Sequence, residues 1–203
     1  FDNESLVKII EKDPDSLSTI MVCTKDRANV FATIIGILDS ENINFLDAKL
    51  FGMKNGFCLD FITISNQAGE VISNNSSVAK SLTIRLKEAL DQEVLSPKIV
   101  KRRQPKHLKH FNTDTIIKYK HDMTHRWTEV DIKTSDRPGL LASICQVFLD
   151  HGALIRKARI ATYGERAEDK FCITSKENTP YLKKKDLERL INDMNDSLSG
   201  VNK

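Results

Sequence analysis

Thr134-Ser-Asp136-Arg137-Pro138-Gly139-Leu140-Leu-Ala-Ser-Ile144, with Val147 and Phe148 beyond it, is the stretch whose reading decides the fold. An alternating run (Trp127, Val130, Ile132) leads into it as a strand. The apolar residues after Gly139 then recur at three and four, the spacing of one buried helix face. Asp136 is placed to cap that helix, and Pro138 suits a first turn whose amides have no helical partner. Gly139 leaves no side chain over the helix mouth. The exposed N–H groups and the positive end of the helix dipole thus make an anion-accepting notch. Two readings stay open from these residues alone. One is a tight capping turn; the other is a seat for a small zwitterion, its carboxylate on the amides and its ammonium on Asp136.

Downstream, strands are expected at Leu154–Tyr163 and Glu168–Ser175, joined by a hairpin turn at Gly164-Glu165-Arg166. A last helix carries Leu187, Leu190, Ile191, Met194 and Leu198. Little chain then remains for a closing strand, so the second sheet is expected to end short or to borrow an edge. The same order occurs upstream: strand Thr19–Thr24, turn Lys25-Asp26-Arg27-Ala28-Asn29, and a helix with Val30, Phe31, Ile34 and Leu38. Asn42 reads as a helix stop. Strands Ile43–Gly52 and Phe57–Ser65 flank Lys54-Asn55-Gly56, whose Asn-Gly marks a hairpin. A second helix carries Val78, Leu82, Leu86, Ala89 and Leu90. One constant offset pairs Thr24 with Thr134, Asp26 with Asp136, Arg27 with Arg137, Ile34 with Ile144 and Ala48 with Ala158. A single deletion in the hairpin then pairs Asp60 with Asp169. This is a duplicated α+β domain rather than a solenoid. A second notch is expected at Asp26, Arg27, Ala28 and Asn29, where Asn29 offers an amide in place of glycine.

The expected organisation is a tail of an upstream domain or a frayed helix over residues 1–18, a first domain over 19–96, a basic linker over 97–125 and a second domain over 126–203. Within the linker, a strand at Thr115–Tyr119 either closes the first sheet or opens the second. The chain begins with Phe1 rather than Met and reads as a piece of something longer. Its 203 residues are 40 % hydrophobic and 29 % charged with a net charge of +3, a balance that does not argue for nucleic acid. The linker bases Lys98, Lys101, Arg102, Arg103, Lys106 and Lys109 lack interleaved aromatics, so no stacking surface for single strands is expected. No apolar run reaches a membrane span. Cys23, Cys58, Cys145 and Cys172 stand singly in apolar surroundings and read as buried free thiols of a cytoplasmic protein.

A catalytic constellation is not found. Asp13-x-Asp15 resembles the metal-binding pair of nucleotidyltransferases but lacks the preceding Gly-Ser. His121-Asp122 matches the dipeptide of HD phosphohydrolases without the surrounding helical ligands. There is no Ser-His-Asp or Cys-His arrangement and no phosphate-cradling glycine loop. Glu165, Arg166 and Glu168 read as surface charges. The piece is expected to be no enzyme itself and to hold neither metal nor cofactor.

The Asp-Arg-Pro-Gly-Leu-Leu-Ala turn, Ala158-Arg-Ile160 and Gly164-Glu-Arg-Ala-Glu-Asp169-x-Phe171 resemble an ACT domain, a family that folds like ferredoxin and commonly binds amino acids between paired domains. Further motifs narrow the resemblance: Asp47-Ala48-x-Leu-Phe51 with Leu59-Asp60, Arg102-Arg103-Gln-Pro105 through Phe111, and Thr162-Tyr through Phe171. From about residue 18 onward the chain is similar to the C-terminal end of the bacterial bifunctional uridylyltransferase/uridylyl-removing enzymes, which modify the PII nitrogen-regulatory protein. The resemblance implies two tandem ferredoxin-like (βαββαβ) ACT domains that sense glutamine and control upstream catalytic domains. Those domains would transfer UMP to PII with Mg and hydrolyse it off again. It implies ligand contacts at Asp136, Arg137, Pro138, Gly139 and Leu140, and at Asp26, Arg27, Ala28 and Asn29. Ala28 departs from the family's proline. The alternative role is a module that docks PII or the catalytic domains without a ligand of its own.

Overall fold

The computed structural model describes residues 4–11, 17–27, 29–95, 114–137, 139–181 and 183–199. The chain divides into two units, Phe1–Val100 and Lys101–Lys203. In the first, β1 (Leu6–Ile10), β2 (Ser18–Lys25), α1 (Val30–Ser40), β3 (Asn44–Gly52), β4 (Phe57–Ser65) and α2 (Ser77–Leu90) follow in order. The strands lie as β1-β2-β4-β3, all antiparallel. In the second, β5 (Ile116–Asp122), β6 (Trp127–Ser135), α3 (Leu140–Asp150), β7 (Leu154–Arg159), β8 (Thr162–Tyr163), β9 (Arg166–Thr174) and α4 (Lys184–Leu198) repeat the plan. Their order is β7-β9-β6-β5, with β8 added on β9.

The α+β class and the paired ferredoxin-like arrangement are as expected, but the connection order is not. Each sheet takes its fourth strand from ahead of the repeat instead of after its second helix, giving ββαββα. Leu6–Ile10 was expected in a frayed helix or an upstream tail. It is β1, paired from Leu6↔Cys23 to Ile10↔Thr19. Val7 and Ile9 alternate inward at 8 and 6 % exposure, and the pairing satisfies the outer amides and carbonyls of β2. The strand expected at Thr115–Tyr119 is β5. It pairs with β6 from Ile116↔Lys133 to Asp122↔Trp127, so it completes the second sheet and not the first. That sheet therefore does not end short.

Local chemistry explains the remaining elements. Val30, Ile34 and Leu38 form the buried stripe of α1. Asn42 ends that helix in the left-handed conformation at φ 56°, where asparagine is tolerated better than most residues. Gly56, at φ 79°, lets the hairpin between β3 and β4 close, with Met53 N–H donating to Phe57 O at 2.7 Å. Ser76 caps α2 by accepting the Ala79 amide at 3.1 Å. The strand expected over Leu154–Tyr163 breaks after Arg159. Ala161 O instead accepts the Glu168 amide at 2.8 Å.

In each unit the helices cover one face of the sheet. Ile20, Val22, Ile62 and Ile64 meet Ile34, Leu38, Leu82 and Leu86 in the first core. Phe148 of α3 packs edge-on against Phe171 of β9, with ring centres 5.2 Å apart, in the second. Burying each such ring contributes about 1.5–3 kcal/mol. The uncovered faces differ. That of the second sheet carries an ion-pair ladder, Lys120–Glu129 at 3.0 Å, Lys170–Asp131 at 3.2 Å and Lys133–Glu168 at 3.2 Å. No described helix is long and apolar enough to cross a membrane.

Candidate ligand-binding turns

Each unit places its turn between the end of a central strand and the mouth of a helix, beside a hairpin. Asp136 N–H donates to Glu165 O at 2.8 Å, and Asp26 N–H donates to Gly56 O at 2.9 Å. The turn is thereby tied to the hairpin tip. Asp136 and Asp26 are both exposed.

The cap of α3 is Gly139 (φ 77°, ψ 5°), three residues beyond the Asp136 expected in that position, and it has no side chain with which to cap. A left-handed residue is needed to turn the chain into the helix, which glycine adopts at least cost. Asn29 does the same at φ 72° in the first unit. The first helical bonds run from Ser143 N–H to Gly139 O at 3.0 Å and from Thr33 N–H to Asn29 O at 2.8 Å. Leu140 is 4 % exposed, its side chain in the core, and its amide is committed to Arg137 O at 3.1 Å. Amides that a ligand would meet are therefore those of Leu141 and Ala142, in a first turn that lacks helical acceptors. Both were missed from the sequence because the helix start was set by the wrong cap. Pro138 and Ala28 lie outside the described residues.

The two mouths are dressed differently. Arg137 donates from Nη2 to Ser197 O of α4 at 2.8 Å. In the first unit Arg27 donates to the Leu90 and Glu93 carbonyls, and Asn29 Nδ2 donates to Leu95 O at 3.1 Å. The asparagine expected to offer its amide to a ligand thus gives its N–H to the chain itself. Gly139 has nothing to give, so of the two turns the second has the barer mouth.

Beneath each turn lies a buried carboxyl, Asp60 and Asp169, both 3 % exposed. The repeat had paired these residues, which was the available signal, but nothing in the spacing showed their burial. Burial is the main cause that pushes the Asp169 carboxyl up to about 7. The Ala161 amide, donating to it, opposes this rise, and the charge of Asp136 adds to it. Burial first, then Asp60 and Asp26, raise Cys58 to about 12; burial and Asp169 likewise raise Cys145. A separate cleft of about 450 Å³, lined by His151, Lys176, Tyr181 and Lys183 among others, lies at the opposite end of α3 from the turn.

No family model matches the chain. It is 37 % identical over 155 residues to the bifunctional uridylyltransferase/uridylyl-removing enzyme of Psychrobacter sp. (strain PRwf-1), a match covering 76 % of this chain and 17 % of that protein. It is 33 % identical over 175 residues to the enzyme of the same name from Acinetobacter baumannii (strain AYE), covering 86 % and 20 %. The chain is homologous to a fragment of the bifunctional uridylyltransferase/uridylyl-removing enzyme. It spans about a fifth of the length of these curated relatives. The regulatory subunit of aspartate kinase from Thermus thermophilus overlaps 97 % of this chain and 93 % of its own at 14 % identity. The TM-score between the two is 0.26.

Among the described residues of this uridylyltransferase homologue, no three His, Cys, Asp or Glu side chains group so as to hold a metal ion. The His121-Asp122 dipeptide ends β5. His121 Nδ1 lies 3.0 Å from Thr128 Oγ1, and Asp122 accepts the His125 amide at 2.9 Å. Asp13 and Asp15 lie outside the described residues, as do the linker bases from Lys98 to Lys109.

Proposed function

We propose that this chain is the regulatory, amino-acid-sensing ACT pair of a cytoplasmic uridylyltransferase/uridylyl-removing enzyme, with glutamine as effector. It does no bond-making chemistry itself and controls catalytic parts outside this chain that act, with Mg, on PII. The observation that carries the reading is the turn at Asp136–Gly139. A helix mouth capped by a residue without a side chain stands beside an exposed carboxylate. Amides of the first turn suit the ligand's carboxylate, and Asp136 suits its ammonium. The effector shifts an equilibrium only by binding one arrangement of the protein more tightly than another.

Calorimetric titration of the chain with L-glutamine tests the proposal. Saturable heat and a rise in Tm are expected at millimolar ligand or below. Absence of both would remove the sensor reading for this chain. A second reading, docking of PII or of the catalytic parts without a ligand, is favoured by the uncovered face of the first sheet. There Leu6 and Phe51 are 53 and 50 % exposed, and Phe51 packs on Phe61. Capture of PII by the chain, lost on Phe51→Asp and insensitive to glutamine, would select that reading.

A further inference from the structure

The uncovered face of the first sheet carries side chains that its own fold does not call for. Register places Leu6, Cys23, Leu59 and Phe51 in one row across β1, β2, β4 and β3. The next row reads Lys8, Met21, Phe61 and Lys49, and Lys25 stands one row the other way, opposite Phe57. Phe51 meets Phe61 edge-on, with ring centres 6.3 Å apart. The duplicated unit supplies the control. By the repeat, Met21, Cys23, Leu59 and Phe61 correspond to Asp131, Lys133, Glu168 and Lys170. Those residues form the ion pairs Lys133–Glu168 and Lys170–Asp131, at the register positions of Cys23↔Leu59 and Met21↔Phe61. A sheet of this plan thus keeps that face in water with charges, and the apolar version is not a requirement of folding. Contiguous apolar surface of this kind marks a contact site.

Size and charge select the occupant. Four strands about 4.8 Å apart, with rows about 7 Å apart, make a face about 14 Å each way, so a partner covers on the order of 300 Å² of it. Counted on both sides that is about 600 Å², half or less of the roughly 1,200–2,000 Å² that a stable complex between separate proteins buries. It falls within the range of about 600–1,500 Å² for contacts between domains of one polypeptide, where the tether supplies the effective concentration. The stretch matched here is only 17 and 20 % of two relatives, which leaves them ample chain for such a contact. Lys8, Lys25 and Lys49 are exposed and pair with no carboxylate among the described residues. Asp47, the acid of this face, lies a further row out, opposite Thr63. A second copy laid on the face would set the lysines against one another. We propose that this face docks a part of the full-length enzyme outside this chain, whose surface is apolar at its centre and carries Asp or Glu at its edge. The inference rests on the docking reading above, gives its face one occupant, and makes no demand on ligand binding at the turns.

Cys23 lies in the middle of the face and is the one cysteine that is not buried, so its alkylation reports whether the face is covered. The test is the rate of Cys23 labelling by iodoacetamide, read by peptide mass mapping, in this chain and in the full-length enzyme, without PII. Labelling is expected to be about ten-fold slower or more in the full-length enzyme. Raising NaCl from about 0.05 to about 1 M should relieve much of that protection, because the lysine contacts are screened. Met21→Asp with Phe61→Lys gives the first unit the ion pair of the second, and should return Cys23 of the full-length enzyme to the rate seen in this chain. If that variant does not fold, Lys8→Glu with Lys49→Glu, both on the exposed rim, takes its place with the same result expected. Protection that neither salt nor substitution relieves would overturn the inference. Protection gained only on adding PII would overturn it and leave the docking reading standing. Equal rates in the two proteins with PII present, or protection that fades on dilution and so names a second copy, would overturn both.

Discussion

Replacing Asp169 by Asn should stabilise the free chain at pH 8 and weaken it somewhat at pH 4. The carboxyl ordinarily gives up its proton near 3.8, as it does in the unfolded chain, whereas the folded protein holds that proton until about 7. Between those values the folded state binds more protons than the unfolded state, so stability falls as pH rises. The loss begins near 3.8 and is complete above about 7. A gap of roughly three pH units at about 1.4 kcal/mol each amounts to about 4 kcal/mol withheld at pH 8. Asparagine keeps the volume and an oxygen for the Ala161 amide but buries an NH₂ that needs a partner, at a cost of about 1–2 kcal/mol. The expected net gain is about 2–3 kcal/mol at pH 8, turning into a loss of about 1–2 kcal/mol at pH 4. Urea unfolding followed by circular dichroism at pH 4.5, 6 and 8 measures it. With a slope of about 1–3 kcal/mol per molar urea, the midpoint should rise by about 1 M or more at pH 8. An advantage of equal size at pH 4.5 and pH 8, or a variant weaker than the parent at pH 8, would refute the reasoning.

Gly139→Val should destabilise the second unit by about 2 kcal/mol, because φ 77° is costly for a branched side chain, whereas Gly139→Asn should cost well under half as much. Asn29 already holds the matching conformation in the first unit, and denaturant midpoints of the two variants check the difference. Ser76→Ala should lose about 1 kcal/mol by removing the cap on the Ala79 amide, read in the same assay. Iodoacetamide at pH 8 followed by peptide mass mapping should modify Cys23 first. Cys58, Cys145 and Cys172 are buried and their thiols pushed up, Cys58 to about 12 and Cys172 to about 11. Equal labelling of all four in the folded chain would contradict the burial.

The sequence by itself determined what is settled within a turn or two of chain. The stripe Val30, Ile34, Leu38, the Asn-Gly hairpin, the stop at Asn42 and the duplicated order of elements all rest on contacts between residues a few positions apart. Periodicity and turn chemistry report such contacts directly. The strand-to-helix turn at Gly139 was legible for the same reason, since a strand, a glycine and an apolar helix are consecutive. Only tertiary structure decided which edge β1 and β5 would join, because a five- to seven-residue apolar run carries no address for its partner. It also decided that Arg27 and Asn29 would reach carbonyls at Leu90, Glu93 and Leu95, more than sixty residues along the chain. The burial of Asp169 belongs with these. An aspartate in an alternating strand reads as a surface charge until a sheet, a helix and a second carboxylate close over it, and its proton affinity is a property of that enclosure, not of the residue.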